Sequence, residues 1–298
     1  MRIGFAGLGR MGVPMTERLI TAGHSITAYD VAVIDSGSLP EPLCGRDVQV
    51  AKTAADLGRT EVSISMLPNA AITDSVLFGP DGVVAAAGRG HIHIVMGTIG
   101  PTAVIELAGR AAESGVYLLD APVSGSVSLA ESGRLTAMVG CDNGLVDRVR
   151  PLLAAMAAEQ FHVGPVGTGS AAKLAVNSVL AALNQAIAEA LVMAETSGVA
   201  TEKLYDILAA SAVGAPYVSY KRDNFLDPDA AEAAFALSLL RKDVSLALDL
   251  ADEYHLASPQ ARTVGRVLDQ AMDAGLGNRD MAAVLTLARQ SELRGYSQ

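Results

Sequence analysis

The chain has 298 residues, half of them hydrophobic, and a formal net charge of −10, enough length and apolar content for two domains with separate cores. The acidic balance argues against a nucleic-acid partner, which would need a basic face to neutralise phosphates. Only two cysteines occur, Cys44 and Cys141, neither in a CxxC or metal-like spacing; they read as free thiols of a reducing compartment, and the five histidines show no ligand constellation, so no metal site is expected.

Residues 2–6 form a short apolar run that stops at Gly7-Leu8-Gly9-Arg10-Met11-Gly12, and residues 13–22 have helical character. Strand, GxGxxG and helix in that order are what dinucleotide binding requires. The first glycine allows the tight turn, the second lets a pyrophosphate approach the backbone, and the third permits close packing of a helix whose N-terminus favours the anion. A second strand, 25–29, ends in Asp30, eighteen residues beyond Gly12, near the spacing of the acid that hydrogen-bonds the adenosine ribose. A carboxylate there repels a ribose 2′-phosphate, and Asp35 and Glu41 precede the next basic residue, Arg46; NAD is expected rather than NADP. The chain opens directly on this strand, which leaves no room for a signal peptide and makes the cytoplasm the expected location.

The pattern continues with a β-like run at 62–67 ending in Leu67-Pro68, a helix at 70–78, a strand at 92–96 followed by Gly97 and Thr98, and a helix at 101–113. A strand at 116–119, the segment from Asp120 to Ser126, a strand at 135–139 and a helix at 144–156 complete it. Alternation of this kind predicts an α/β, Rossmann-type, doubly wound and mostly parallel sheet, with ligands at the carboxyl ends of its strands, where Leu67, Pro68, Thr98 and Ser124 fall. The Asp120–Ser126 segment reads equally well as an anion-binding loop or as an ordinary surface turn.

Beyond His162 the β signal disappears and helices are expected at 167–195, 201–212, 235–254, 258–274 and 280–293, with Thr201 and Ser258 as N-caps and Pro259 at a first helical position. A boundary near 164 divides the chain into a dinucleotide-binding domain, 1–164, and an all-α domain, 165–298, joined by a long interdomain helix at about 169–196. That helix should run about 40 Å. Its apolar residues lie on nearly every side, which suggests burial between two bodies of protein. Ser170, Lys173, Asn177, Asn184 and Glu195 form a polar stripe within about 60°. Asn184, Gln185 and Glu189 near its middle speak against a membrane span. Lys173 either snorkels to solvent or does chemistry.

These pieces resemble the β-hydroxyacid dehydrogenase family over essentially the whole length, through IGFAGLGRMGVPM from Ile3, DAPVSGS from Asp120, GTGSAAKLAVN from Gly167 and LLRKDVSLAL from Leu239. The resemblance implies that Lys173 is catalytic, that Asn177 helps to bind substrate, and that Ser124 and Gly125, with Ser126 beside them, hold a substrate carboxylate. It implies cofactor contacts from Leu67, Pro68, Thr98 and Lys242 in addition to the glycine-rich turn and Asp30, a small β-hydroxy acid or semialdehyde as substrate, and a homodimer or homotetramer. Two departures stand out. The family's Ser-Gly-Gly is Ser124-Gly125-Ser126 here, and the serine usual before Thr98 is Gly97.

The implied chemistry is reversible hydride transfer with Lys173 as general acid/base, provided burial brings its pKa towards neutrality, and with Asn177 one turn later on the same face. Two alternatives are an imine reductase, disfavoured by Lys173 and Asp30, and a non-catalytic dinucleotide-binding protein on the same scaffold.

Overall fold

The computed structural model describes residues 1–230 and 233–295. It separates into two compact units, Met1–Leu174 and Ala175–Gln298, and the division falls inside the long helix Thr168–Thr196. The connector VGPVGTG and the first turns of that helix therefore belong to the first unit.

The first unit is built on a nine-stranded sheet: β1 Arg2–Ala6, β2 Ser25–Tyr29, β3 Val48–Val50, β4 Val62–Ser65, β5 Ile92–Val95, β6 Tyr117–Asp120, β7 Val123–Ser124, β8 Leu135–Gly140 and β9 Ala157–Gly164. The order β3-β2-β1-β4-β5-β6 is parallel throughout, the doubly wound arrangement expected of a dinucleotide-binding fold. β8 runs antiparallel to β6 and β7, and β9 pairs with β8 in parallel. Side-chain alternation sends Ile3, Phe5, Ile64 and Ile94 into one buried cluster, while Ala6, Val95 and Leu118 join another; residues of opposite parity on one strand face opposite sides of the sheet.

One face carries a polar seam. Ser63 Oγ lies 2.7 Å from both His91 Nε2 and His93 Nδ1, and His93 Nε2 lies 3.0 Å from Ser65 Oγ. His93 is fully buried, and desolvation, aided by the nearby His91, holds its pKa at about 3. The chain of hydrogen bonds satisfies the neutral imidazole but offers no counter-charge to its protonated form.

The described residues of the second unit are helical, with an isolated antiparallel bridge between Ala236 and Asp280 that the sequence pattern did not signal. Its core gathers Ile187, Leu191, Tyr205, Phe225, Leu240, Val244, Leu268 and Leu285. The Thr201–Ala210 helix is capped by Ala200 rather than by Thr201, whose hydroxyl donates instead to Glu195 Oε1 at 2.6 Å. Ser258 does hold the N-cap position before Pro259, with φ +42 and no side-chain cap. The long helix is long and apolar enough to cross a membrane, yet Asn177 and Asn184 are buried in it with polar partners. Nor is it covered on every side: Val176, Val179 and Met193 are exposed on the single chain.

Candidate active site

The glycine-rich turn follows β1. Gly7 adopts φ +96 and donates its N–H to the Tyr29 carbonyl at 2.9 Å, tying the turn to the end of β2. A Cβ on Gly7 would overlap the Met66 carbonyl oxygen, and one on Gly12 would overlap the Gly7 carbonyl oxygen, so protein packing alone demands glycine at both. A Cβ on Gly9 would meet nothing within 4 Å. That open space over the backbone is what close approach of a pyrophosphate would need. Leu8, Arg10 and Met11 complete the turn, and no side chain caps the helix Gly12–Thr21 that follows, leaving its N-terminus open to an anion.

Asp30 carries two duties at once. Its Oδ2 accepts from Leu8 N–H at 2.7 Å, fastening the glycine-rich turn, and Oδ1 accepts from Ala32 N–H at 2.9 Å, capping the short helix Val31–Ser36. A carboxylate has about four lone-pair positions, so both oxygens retain capacity for ribose hydroxyls. The turn and the ribose readings are thus compatible.

Leu67 and Pro68 follow β4, and Gly97 and Thr98 follow β5. A Cβ on Gly97 would overlap the Leu67 carbonyl oxygen and stand 3.1 Å from the Leu67 nitrogen. The missing serine before Thr98 therefore has a physical reason: these two strand ends close on each other more tightly than a side chain permits. Gly7, Leu67 and Gly97 come together at the carboxyl edge of the parallel strands, with Pro68 and Thr98 adjoining them in sequence.

Asp120, to which sequence reasoning gave no role, proves central. It pairs with Val95 at the carboxyl end of β6 and is fully buried. Its Oδ1 accepts from Gly167 N–H at 2.7 Å and its Oδ2 from Ser170 N–H at 2.5 Å, which fastens the first turn of Thr168–Thr196 to the sheet. Burial pushes its pKa up, against the lowering effect of those N–H donors. A carboxylate aimed at a helix N-terminus is favoured by the dipole as well as by the unpaired N–H groups. Lys173, one turn beyond, is half-buried. The available signal was an aspartate ending a strand in a chain whose long helix opens on Gly167-Thr168-Gly169.

The segment after Asp120 is neither a free loop nor a plain turn, because Val123–Ser124 pairs with β8 through Val123↔Ala137 and Ser124↔Thr136. Gly125 follows with φ +141. Ser126 caps the helix Val127–Glu131: its hydroxyl faces Leu129 N–H at 3.4 Å and Ser128 Oγ at 2.7 Å. The hydroxyl gained in place of a family glycine is engaged locally.

In the second unit, Asn177 Nδ2 donates to Asp243 Oδ2 at 2.6 Å, and Lys242 Nζ lies 3.0 Å from Asp243 Oδ1. Asp243 was missed from the sequence, although a carboxylate between Leu240 and Val244 on the buried stripe of Leu237–Glu253 is an anomaly that pattern can reveal. The rest of the long helix's polar stripe is structural. Asn184 accepts from the Tyr217 hydroxyl at 2.5 Å and donates to the Met281 carbonyl at 3.0 Å, and Glu195 accepts from Arg289 and Thr201. Among the described residues no group of three or more His, Cys, Asp or Glu side chains could hold a metal ion.

A parallel sheet in the order 3-2-1-4-5-6, a GxGxxG turn and a carboxylate at the end of the second strand define a Rossmann-type dinucleotide-binding protein. Residues 2–164 match a family model described as the NAD binding domain of 6-phosphogluconate dehydrogenase, and 167–288 one described as NAD-binding of NADP-dependent 3-hydroxyisobutyrate dehydrogenase. The chain is 32% identical over 297 residues to 2-(hydroxymethyl)glutarate dehydrogenase of Eubacterium barkeri, covering 97% of this chain and 95% of that one. It is 32% identical over 295 residues to 3-sulfolactaldehyde reductase of Escherichia coli K12, covering 97% and 96%. Among solved structures, 3-hydroxyisobutyrate dehydrogenase of Mycobacterium tuberculosis with L-serine superposes with a TM-score of 0.82 at 30% identity, covering 97% of this chain and 99% of that chain. The chain belongs to the β-hydroxyacid dehydrogenase family and is an oxidoreductase of that family.

Proposed function

We propose that this protein oxidises a small β-hydroxy acid to the corresponding semialdehyde, reversibly and with NAD, and that Lys173 is the general acid/base. The observation that carries the reading is the Asp120 tether. It starts the Lys173 helix at the carboxyl end of β6, on the same sheet edge as the glycine-rich turn, Leu67 and Gly97, which is where doubly wound folds bind their ligands.

Gly7, Leu8, Gly9, Arg10, Met11 and Gly12 would hold the pyrophosphate, Asp30 the adenosine ribose, and Leu67, Pro68, Thr98 and Lys242 the remainder of the dinucleotide. When bound, the nicotinamide supplies the hydride acceptor or donor. Lys173 would take the hydroxyl proton in oxidation and return it in reduction. Ser124, together with backbone N–H groups around Gly125, would anchor the carboxylate and set its distance from the carbinol carbon; Ser126 contributes the cap that shapes this corner.

The preference for NAD rests on Asp30 and its surroundings: no basic side chain follows until Arg46, which lies 3.9 Å from Glu17. Relatives named for L-serine, 3-hydroxyisobutyrate and 2-(hydroxymethyl)glutarate support a substrate with a hydroxyl β to a carboxylate. We further propose a cytoplasmic homodimer or homotetramer, a reading supported by the exposed Val176, Val179 and Met193.

The test is a panel of those three acids with NAD and NADP, following reduced nicotinamide by absorbance, on the wild type and Lys173→Ala. The variant should lose turnover by about a hundredfold to ten-thousandfold while binding NADH as the wild type does. Near wild-type turnover in that variant would falsify the role of Lys173, and faster turnover with NADP would overturn the cofactor assignment.

A further inference from the structure

The second unit holds a concavity of about 370 Å³ between three of its own helices, Thr168–Thr196, Pro259–Asp273 and Val284–Gly295. Pockets of that size take small molecules. Every residue that lines it belongs to the second unit, and none is among the residues that would hold substrate or cofactor.

Its walls divide by chemistry. Val267, Val284 and Leu287 supply an apolar side, and Gln185, Glu189 and Gln270 a polar one. The polar side has a defined sense. Gln185 Nε2 donates to Glu189 Oε1 at 2.8 Å, and since a carboxylate only accepts, the Gln185 amide cannot be turned the other way. Its carbonyl oxygen is the end that remains for another donor. Gln185 is 9% exposed, and the pocket is the space it lines. Two acceptors, a carboxylate and a carbonyl oxygen, thus stand one turn apart on one helix. No salt bridge to Glu189 occurs among the described residues, and Arg289, next in sequence to the pocket-lining Ala288, is committed to Glu195 with Nε 3.0 Å from Oε2.

An unbalanced negative charge with a second acceptor beside it, at the edge of an apolar wall, recognises a cation that donates. It disfavours two other occupants. A carboxylate or a phosphate would be repelled, so the pocket is no second site for the acid or the dinucleotide. The apolar face of a second copy would strip water from Glu189 without replacing it, and charged residues are depleted from the centres of protein interfaces. The exposed Val176 and Val179 lie about 130° round the helix from Gln185 and Glu189, at about 100° per residue, and so belong to a different side of it.

We propose that this pocket binds a small amphipathic amine, whose ammonium donates to Glu189 and to the Gln185 carbonyl oxygen while its apolar body lies against Val267, Val284 and Leu287. The site takes no part in hydride transfer, and its test does not depend on that reading.

Methyl-labelled methionine reports on the pocket. Met193 stands in its wall, 71% exposed, and its signal among the ten methionines is assigned by its loss in Met193→Leu. Three probes share one apolar body and differ in the head group: hexylamine, hexanol and hexanoate. On the whole protein, hexylamine should shift the Met193 signal saturably with a Kd on the order of 1 mM. Hexanol should bind at least about fivefold more weakly, and hexanoate more weakly still. Glu189→Gln, which keeps the shape and removes the charge, should weaken hexylamine at least about fivefold and leave hexanol unchanged.

No saturable shift, equal binding of hexylamine and hexanoate, or an amine affinity untouched by Glu189→Gln overturns the proposal. Gln270→Arg, at an exposed position of the same wall, sets a competing cation in the pocket and should abolish the hexylamine shift with the molar mass in light scattering unchanged. A lower mass in that variant would make the wall a contact between copies and would equally overturn the proposal. Thermal melting identifies any variant that has not folded.

Discussion

Two buried carboxylates, one in each unit, show how differently the two halves of this chain treat charge. Among the described residues Asp120 has no cation: it is held by the Gly167 and Ser170 N–H groups at the start of a helix, and burial pushes its pKa up. Asp280 is closed on all sides. Lys221 Nζ lies 2.7 and 2.6 Å from its two oxygens, and the N–H groups of Ala234, Phe235 and Ala282 fill the remaining positions. Backbone donors suffice where the carboxylate docks the first turn of the helix that bears Lys173. A complete ion pair appears where the task is to pin the 234–236 segment against the 279–282 turn.

The sharpest way to break this contrast is to remove the cation of the closed site. Lys221→Met should destabilise the second unit by about 3–5 kcal/mol, because it leaves a buried carboxylate without its counter-charge, as read from denaturant unfolding. A loss below about 1 kcal/mol would mean that the backbone donors alone hold Asp280, as they do Asp120, and the distinction would collapse. In the first unit, Asp120→Asn keeps one acceptor and turns an NH2 group towards a backbone N–H. It should cost about 2 kcal/mol and lower kcat at least about tenfold at temperatures where the protein remains folded. Full turnover would show that the tether does not position Lys173.

The contrast also has a pH dimension, since the first unit buries His93 with no opposite charge. The folded-state pKa of about 3 lies below the ordinary 6.5, so the unfolded state binds the proton more readily. Stability from this group is fully present above about pH 6.5 and is lost as pH falls towards 3. At pH 5 the loss is about 2 kcal/mol. His93→Gln, which does not titrate, should move the acid-unfolding midpoint of the first unit to lower pH, measured by circular dichroism; an unmoved midpoint would assign acid sensitivity elsewhere.

The smallest effect separates two buried tyrosines of the second unit. Tyr217→Phe removes the donor to Asn184 Oδ1 and should cost about 1–2 kcal/mol. Tyr205→Phe removes a hydroxyl with no partner among the described residues and should change stability by less than about 0.5 kcal/mol or raise it. Equal losses, measured in one thermal-melting series, would contradict the hydrogen-bond assignment.

Much of the first unit was legible because its signals are local. A glycine that must sit at φ +96, a strand that ends in an acid, and a helix that begins at Pro101 each write themselves into a few adjacent residues. β9 was not legible. Its residues are mostly exposed, the apolar Phe161 and Val163 among them, so the alternation that betrays a half-buried strand is missing, and β8 is the strand that recruits it. β3 was invisible for a related reason, being three residues long and held by its partner. Ser126 was readable as a departure from a family pattern but not as a cap, since the short helix it starts has little signature of its own.

The sequence by itself determined the order of elements, the dinucleotide turn, the acid at Asp30, the long helix with its polar stripe, and the residue types able to do acid/base chemistry. Only the tertiary structure decided what the polar groups are for: that Asp120 grips the helix bearing Lys173, that Asp243 dictates which end of Asn177 is presented, that Asn184 and Glu195 are structural, and that Gly97 is a packing requirement. Element order follows from propensity and periodicity, which act over neighbouring residues. The role of a buried polar atom depends on which donor or acceptor lies within about 3 Å, and in this chain those partners lie 47, 66 and 97 residues away.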